Sequence, residues 1–408
     1  MTISSLKFDN GIWDKFLMAF LIICPVFWHG GFFAGTQTLR LGQEQFFQMG
    51  TTVLCALFLV QNVYLGAFLS LAAAIYSFYG FPPASGMILL NILFFSLLYA
   101  VFYKSVSIKN FEQWTQALKW LVFIHISLMF FQAIGYDPVY SHPLRFTQNI
   151  DLVGVMGIKA FSGIFLALLL PFIAKNSLLI GFMMLFPIAL SQSSCAFVSA
   201  IPVLAFYAIP KIRGRFIPII ILASFLAGAF YISKDIPNKM FSDRANLWFV
   251  ATKDAMKKPL TGWGLDAFRS ISDHKKFIYA KDTRDNKSYQ FGYNAELKSL
   301  IPPKGFRTDK PIDPWDHPHN ELVSLFYEFG MVGVLLITFF IRDIVKRYLA
   351  SPMIFKYTTP VFLFFVVLFI NSMGHFPLHV ARTAFIVPLM LAFFYKITDA
   401  ERKLHVRG

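Results

Sequence analysis

Residues 317–341 read His-Pro-His-Asn-Glu and then LVSLFYEFGMVGVLLITFFI, and this stretch decides the fold. A short polar cap opens an apolar run that, at about 1.5 Å per helical residue, is long enough to cross the roughly 30 Å hydrocarbon core of a bilayer. A span is therefore placed at 320–341. About two turns into it lies Glu328. A carboxylate is costly at that depth and is a functional hypothesis by default. Glu328 either supports His319 from behind or pairs with Arg382 or His379 across a bundle.

Working outward, comparable runs lie at 12–29, 45–62, 64–80, 86–103, 116–134, 152–174, 177–191, 194–210 and 216–232, and again at 355–374 and 380–397. Hydrophobic residues make up 56% of the chain against 14% charged, with a mean hydropathy of +0.58, so lipid is the main solvent. The expected fold is an all-α polytopic integral membrane protein of about 12 transmembrane helices. The first run, 12–29, lacks a small-residue cleavage site and reads as an uncleaved span. Cys24, Cys55 and Cys195 sit in or beside apolar runs and lack metal-type or disulfide-type spacing.

The net charge of +15 is distributed in a way that excludes a nucleic-acid surface. Lys104, Lys109, Lys175, Lys211, Arg213, Arg215, Arg342, Lys346, Arg347 and the basic tail fall on one side of the alternating spans. The positive-inside rule makes that side cytoplasmic and places the one long polar segment outside. Three regions follow: a bundle of about nine helices over 1–232, a large outer loop over 233–318, and C-terminal helices with a tail over 319–408. Trp248, Phe249, Trp263, Phe268 and Trp315 give the loop membrane anchors. Residues 243–258 read as an amphipathic helix capped by Asp243 and stopped by Pro259, with Leu247, Trp248, Ala251, Ala255 and Met256 on its apolar side, so it is expected to lie along the membrane interface.

Two motifs bracket this loop. His319-Asn320 is followed by nine residues and then by Gly330-Met-Val-Gly333; upstream stand Arg244, Trp248, Pro259 and Gly262-Trp263-Gly264. In this order and spacing they resemble the O-antigen ligase and O-antigen polymerase superfamily, and the span layout agrees over most of the chain. The resemblance implies a GT-C-like, metal-independent glycosyltransferase of the bacterial inner membrane with its site facing the periplasm. The donor it implies is a glycan on undecaprenyl diphosphate, and no cofactor is called for.

Transfer at an anomeric carbon needs a base for the acceptor hydroxyl and cations for the departing diphosphate. His319 at a helix start is the expected base, because the partial positive charge there disfavours imidazolium. Arg244 is the expected diphosphate ligand, since a guanidinium grips phosphate oxygens in a bidentate manner and keeps its charge. Arg145, Arg269, Lys275, Lys276 and His317 are further candidates for substrate contact, and Trp263 for stacking on a sugar. Asn320 is read as a helix cap or a support for His319. The loop carboxylates have no compact metal spacing, so no metal site is expected.

One departure from the resemblance stands out. Relatives place a Ser-Arg pair near the outer end of the eighth span, whereas this chain has Ser191-Gln-Ser-Ser194-Cys195-Ala196. Another cation, such as Arg145 or Arg269, has to serve instead, or the donor is held differently. The expected acceptor is lipid A–core oligosaccharide, as in a ligase; a second lipid-linked glycan (polymerase) or a protein hydroxyl (O-oligosaccharyltransferase) competes. A transporter or flippase is the reading from another class. Internal repeats would favour it, but none is found.

Overall fold

A computed structural model describes residues 95–134 (without 97), 154, 156, 159–208, 247–264 (without 250), 267–268, 318–351, 355–375, 377–378 and 384–407, together with the backbones of four strands between 277 and 314 and residues 15, 18 and 19. The expected spans at 12–29, 45–62, 64–80 and 216–232, and most of 86–103, lie outside these residues, as does the total of twelve.

Eight helices are numbered here in chain order. They are α1 (Phe111–Ala133), α2 (Lys159–Ala174), α3 (Leu178–Met183), α4 (Leu185–Leu190), α5 (Ser194–Ala208), α6 (Glu321–Leu349), α7 (Phe355–Ser372) and α8 (Ile386–Arg407). Among the described residues, α1, α6 and α7 are each long and apolar enough to cross a membrane. The run expected as one span over 177–191 is helical over Leu178–Leu190, with α3 and α4 meeting at Met184, whose backbone (φ −66°, ψ −18°) stays helical. The run expected to end at 341 continues to Leu349 through Arg342, Asp343, Lys346 and Arg347.

α2 is the centre of the bundle. It is apolar around its whole circumference, the pattern of a helix buried on every side, and Ile164 to Leu170 are without solvent exposure. α1, α3, α4, α5 and α7 all pack against it. Trp120, Phe123 and Phe130 of α1, and Leu336 and Phe339 of α6, stay exposed. Large apolar side chains on an outer surface of this kind fit contact with lipid. At the far end of α6, Arg347 bonds Asp343 (2.8 Å) and Asp399 of α8 (2.8 Å), and Tyr395 donates to Asp343 (2.9 Å), so the charged residues after 341 form a network that ties two helices together.

The all-α expectation applies to the apolar segments and needs correction in the loop. Strands β1 (Phe277–Lys281), β2 (Ser288–Asn294), β3 (Ser299–Ile301) and β4 (Asp313–Pro314) form an antiparallel sheet in the order β3-β2-β1-β4. Tyr279 pairs with Gln290 and Phe277 with Gly292. The physical reason is visible in FIYAK and SYQFGYN. Both place aromatic residues at alternating positions and are separated by the polar run Asp-Thr-Arg-Asp-Asn-Lys, a hairpin pattern.

Candidate functional site

The site is built around a break in α6. Gly330 has φ 60° and ψ −147°, outside helical geometry, and divides the helix into 321–329 and 331–349. A break within an apolar helix strands backbone groups that cost several kcal/mol each if left unsatisfied. Here they are taken up by the turn at 259–264. Trp263 and Gly264 donate their amides to the carbonyls of Tyr327 and Glu328 (both 2.9 Å). The amides of Met331 and Val332 donate to the carbonyls of Pro259 (2.8 Å) and Leu260 (3.3 Å). The two sequence motifs thus clasp each other through main-chain bonds.

That closeness fixes the glycines. A Cβ on Gly330 would lie 2.6 Å from the Leu260 carbonyl oxygen, and one on Gly262 (φ +67°) would overlap the carbonyl of Glu328. Both positions require positive φ and backbone-to-backbone contact, which glycine alone meets without strain.

Side chains reinforce the clasp. The helical residues within 247–255 pack Leu247, Ala251 and Ala255 against Tyr327 and Phe268. Asp254, only 1% exposed, accepts from the Tyr327 hydroxyl (2.9 Å) and pairs with Lys257 (2.6 Å). Trp263 stacks on Tyr327 with ring centroids 6.4 Å apart, donates to the Asp254 carbonyl (3.1 Å) and lies under the Lys258 ammonium (4.4 Å). The ring expected to meet a sugar is therefore engaged with the protein. The apolar side of the amphipathic helix docks on α6, while Met256, expected on that side, is exposed beyond the last helical residue.

His319 stands where these elements meet. Asn320 is the cap of α6, its Oδ1 accepting from the amides of Leu322 (2.9 Å) and Val323 (3.1 Å), so His319 is the residue before the cap rather than within the first turn. The side-chain Nδ2 of Asn320 also donates to the Met373 carbonyl at the end of α7 (2.8 Å). On the other side the Trp248 indole donates to the carbonyl of Pro318 (2.7 Å). Held from both flanks, His319 adopts φ 53°, in the left-handed region. Such a conformation costs a non-glycine residue of order 1–3 kcal/mol and tends to occur at functional sites. Its side chain is half-buried.

Glu328 is 7% exposed; Ser324 donates to its carboxylate at 3.5 Å, and its carbonyl is one of the clasp acceptors. Glu321, not singled out from the sequence, accepts from the amide of Leu378 (2.8 Å). Arg244, Arg145, Arg269, Lys275, Lys276 and His317 lie outside the described residues, as do Arg382 and His379. At the departure from the family pattern, Gln192 has φ 56° and Ser194 opens α5. Ser194 and Cys195 line the same cavity as Glu321 and Gly374, and the described residues lining it include no cation. No group of metal-ligating side chains occurs among the described residues.

Asp254, Tyr327 and the Trp248–Pro318 bond were missed from the sequence. The available signal was a carboxylate placed between Ala251 and Ala255 on the helix side that otherwise reads as apolar. No known family model, curated protein or solved structure matches this chain.

Proposed function

We propose that this chain is a membrane glycosyltransferase of the O-antigen ligase/polymerase type. It moves a glycan from undecaprenyl diphosphate to an acceptor hydroxyl at the periplasmic face of a bacterial inner membrane. The acceptor favoured is lipid A–core, with a second lipid-linked glycan and a protein hydroxyl as the other acceptors of the same chemistry. The observation carrying the reading is the clasp: the Gly262-Trp263-Gly264 turn and the Gly330 break bind each other, and Trp248 bonds the residue beside His319. Residues from two separated motifs thereby frame one half-buried histidine.

In the proposed reaction the acceptor oxygen forms a bond to the anomeric carbon while the bond from that carbon to the diphosphate oxygen breaks. His319 takes the hydroxyl proton, and the bonding pair leaves with the diphosphate. Arg244 stabilises that growing charge. The strained backbone at His319 suits a residue whose position matters more than its local stability.

The test is incubation of purified full-length protein with a polyprenyl-diphosphate glycan and each acceptor class separately. Product with lipid A–core supports the ligase form, and product with another acceptor reassigns the acceptor. No product with any acceptor, alongside uptake of the glycan lipid across a sealed vesicle, would replace the reading with transport.

A further inference from the structure

Two contacts pin α6 to α7 at their ends. Near His319, Asn320 bonds the Met373 carbonyl (2.8 Å). At the other end the Tyr348 ring stacks on Phe362, with centroids 4.1 Å apart, and its hydroxyl lies 3.1 Å from Thr359. From Asn320 to Tyr348 a continuous helix would measure about 42 Å, whereas from Thr359 to Met373 it measures about 21 Å. Both pins hold only if α6 bends strongly at Gly330. Residues 331–349 then rise beside α7 for about 28 Å, close to the thickness of a hydrocarbon core, and 321–329 cross over the top.

The bend leaves a wedge between the helices. A cavity of about 430 Å³ occupies it, roofed by Glu321, Leu322 and Leu325 and walled by residues such as Ile337, Ile341 and Phe365. No residue between Leu325 and Ile337 lines it, as expected where the helix bows away. At the end away from His319 its lining reaches Ile344, Val345 and Phe362. Its walls are hydrocarbon along the depth of the membrane, and its polar groups gather at the roof, one residue from Asn320.

We infer that this wedge holds the head-proximal part of the polyprenyl chain of the donor lipid, so that the diphosphate emerges beside the α6 cap and His319. The inference rests on the glycosyltransferase reading for the identity of the lipid. A two-chain phospholipid is the poorer occupant, because a cavity of about 430 Å³ has room for one such chain and not two. The continuity of the cavity roof with the cap of α6 joins this chain site to the reacting end.

The experiment uses full-length protein in lipid nanodiscs and a polyprenyl diphosphate carrying a diazirine in its first isoprene units, with adducts mapped by mass spectrometry after illumination. Expected are adducts on Leu325, Ile337, Ile341 or Phe365, competed by unlabelled polyprenyl diphosphate and not by phosphatidylglycerol. Ile341→Trp, which fills the wedge, should lower labelling by about tenfold, equivalent to about 1.4 kcal/mol of binding, while Ile341→Val retains it. Adducts concentrated on the outward residues Leu336 and Phe339, or equal competition by phosphatidylglycerol, would overturn the inference. Glycan transfer without wedge labelling sinks this proposal alone. Wedge labelling without transfer to any acceptor sinks the transferase reading and leaves a polyprenyl site.

Discussion

Gly330 and Gly262 approach each other so closely that a Cβ on Gly330 would lie 2.7 Å from the Gly262 amide nitrogen. One glycine breaks a long apolar helix and the other turns a loop, and each segment satisfies what the other leaves open. The four main-chain bonds between them make the loop and the helix a single structural unit at the His319 end.

Gly330→Ala should destabilise the protein by about 1–3 kcal/mol from positive φ alone, with a further loss from overlap with Leu260. The check is the thermal midpoint of purified protein in detergent, compared with Gly264→Ala. A Cβ on Gly264 meets nothing within 4 Å, so that variant carries only the cost of its φ of +104°. Equal losses for the two would contradict the clasp.

Asp254 and Tyr327 should be energetically coupled. Tyr327→Phe removes a hydrogen bond to a buried carboxylate, worth about 1.5–3 kcal/mol, and Asp254→Ala should remove little more once Tyr327 is Phe. A double-mutant cycle on thermal or denaturant stability measures this. Additive losses would show that the two side chains act separately.

Trp248→Phe keeps an aromatic ring but deletes the donor to the Pro318 carbonyl. The account expects transfer activity to fall by more than about tenfold while stability changes by roughly 1 kcal/mol, because the lost bond positions the backbone next to His319. Activity and midpoint measured on the same preparations separate the two effects. Full activity would remove Trp248 from the positioning of His319.

Asn320→Asp retains a cap acceptor but loses the amide donor to Met373, whereas Asn320→Ala loses both. Loss of the cap alone costs about 1 kcal/mol. Asn320→Ala should therefore be less stable than Asn320→Asp, and both should lose the pin that holds α6 to α7. The separation of spin labels placed on α6 and α7, away from positions 320 and 373, reports that pin in each variant.

The apolar helices were legible because lipid leaves a coarse signal: long hydrophobic runs, with charge confined to their ends. α1 and α7 fall close to where such runs placed them. The sheet was legible in principle, through the alternation in FIYAK and SYQFGYN, but the helical reading of the loop obscured it. The spacing that marked Gly330 and Gly262-Trp263-Gly264 singled out these residues without revealing that they bind each other. That fact depends on a helix break, which a local sequence pattern does not encode. Asp254 and Tyr327 stand 73 positions apart, so their pairing has no local trace.

The most direct test of His319 as the base is glycan transfer from a polyprenyl-diphosphate donor by purified wild-type and His319→Ala protein. Turnover is expected from the wild type with at least one acceptor, and a loss of about 10²–10⁴-fold in His319→Ala at unchanged folding. Wild-type rates in His319→Ala would contradict it.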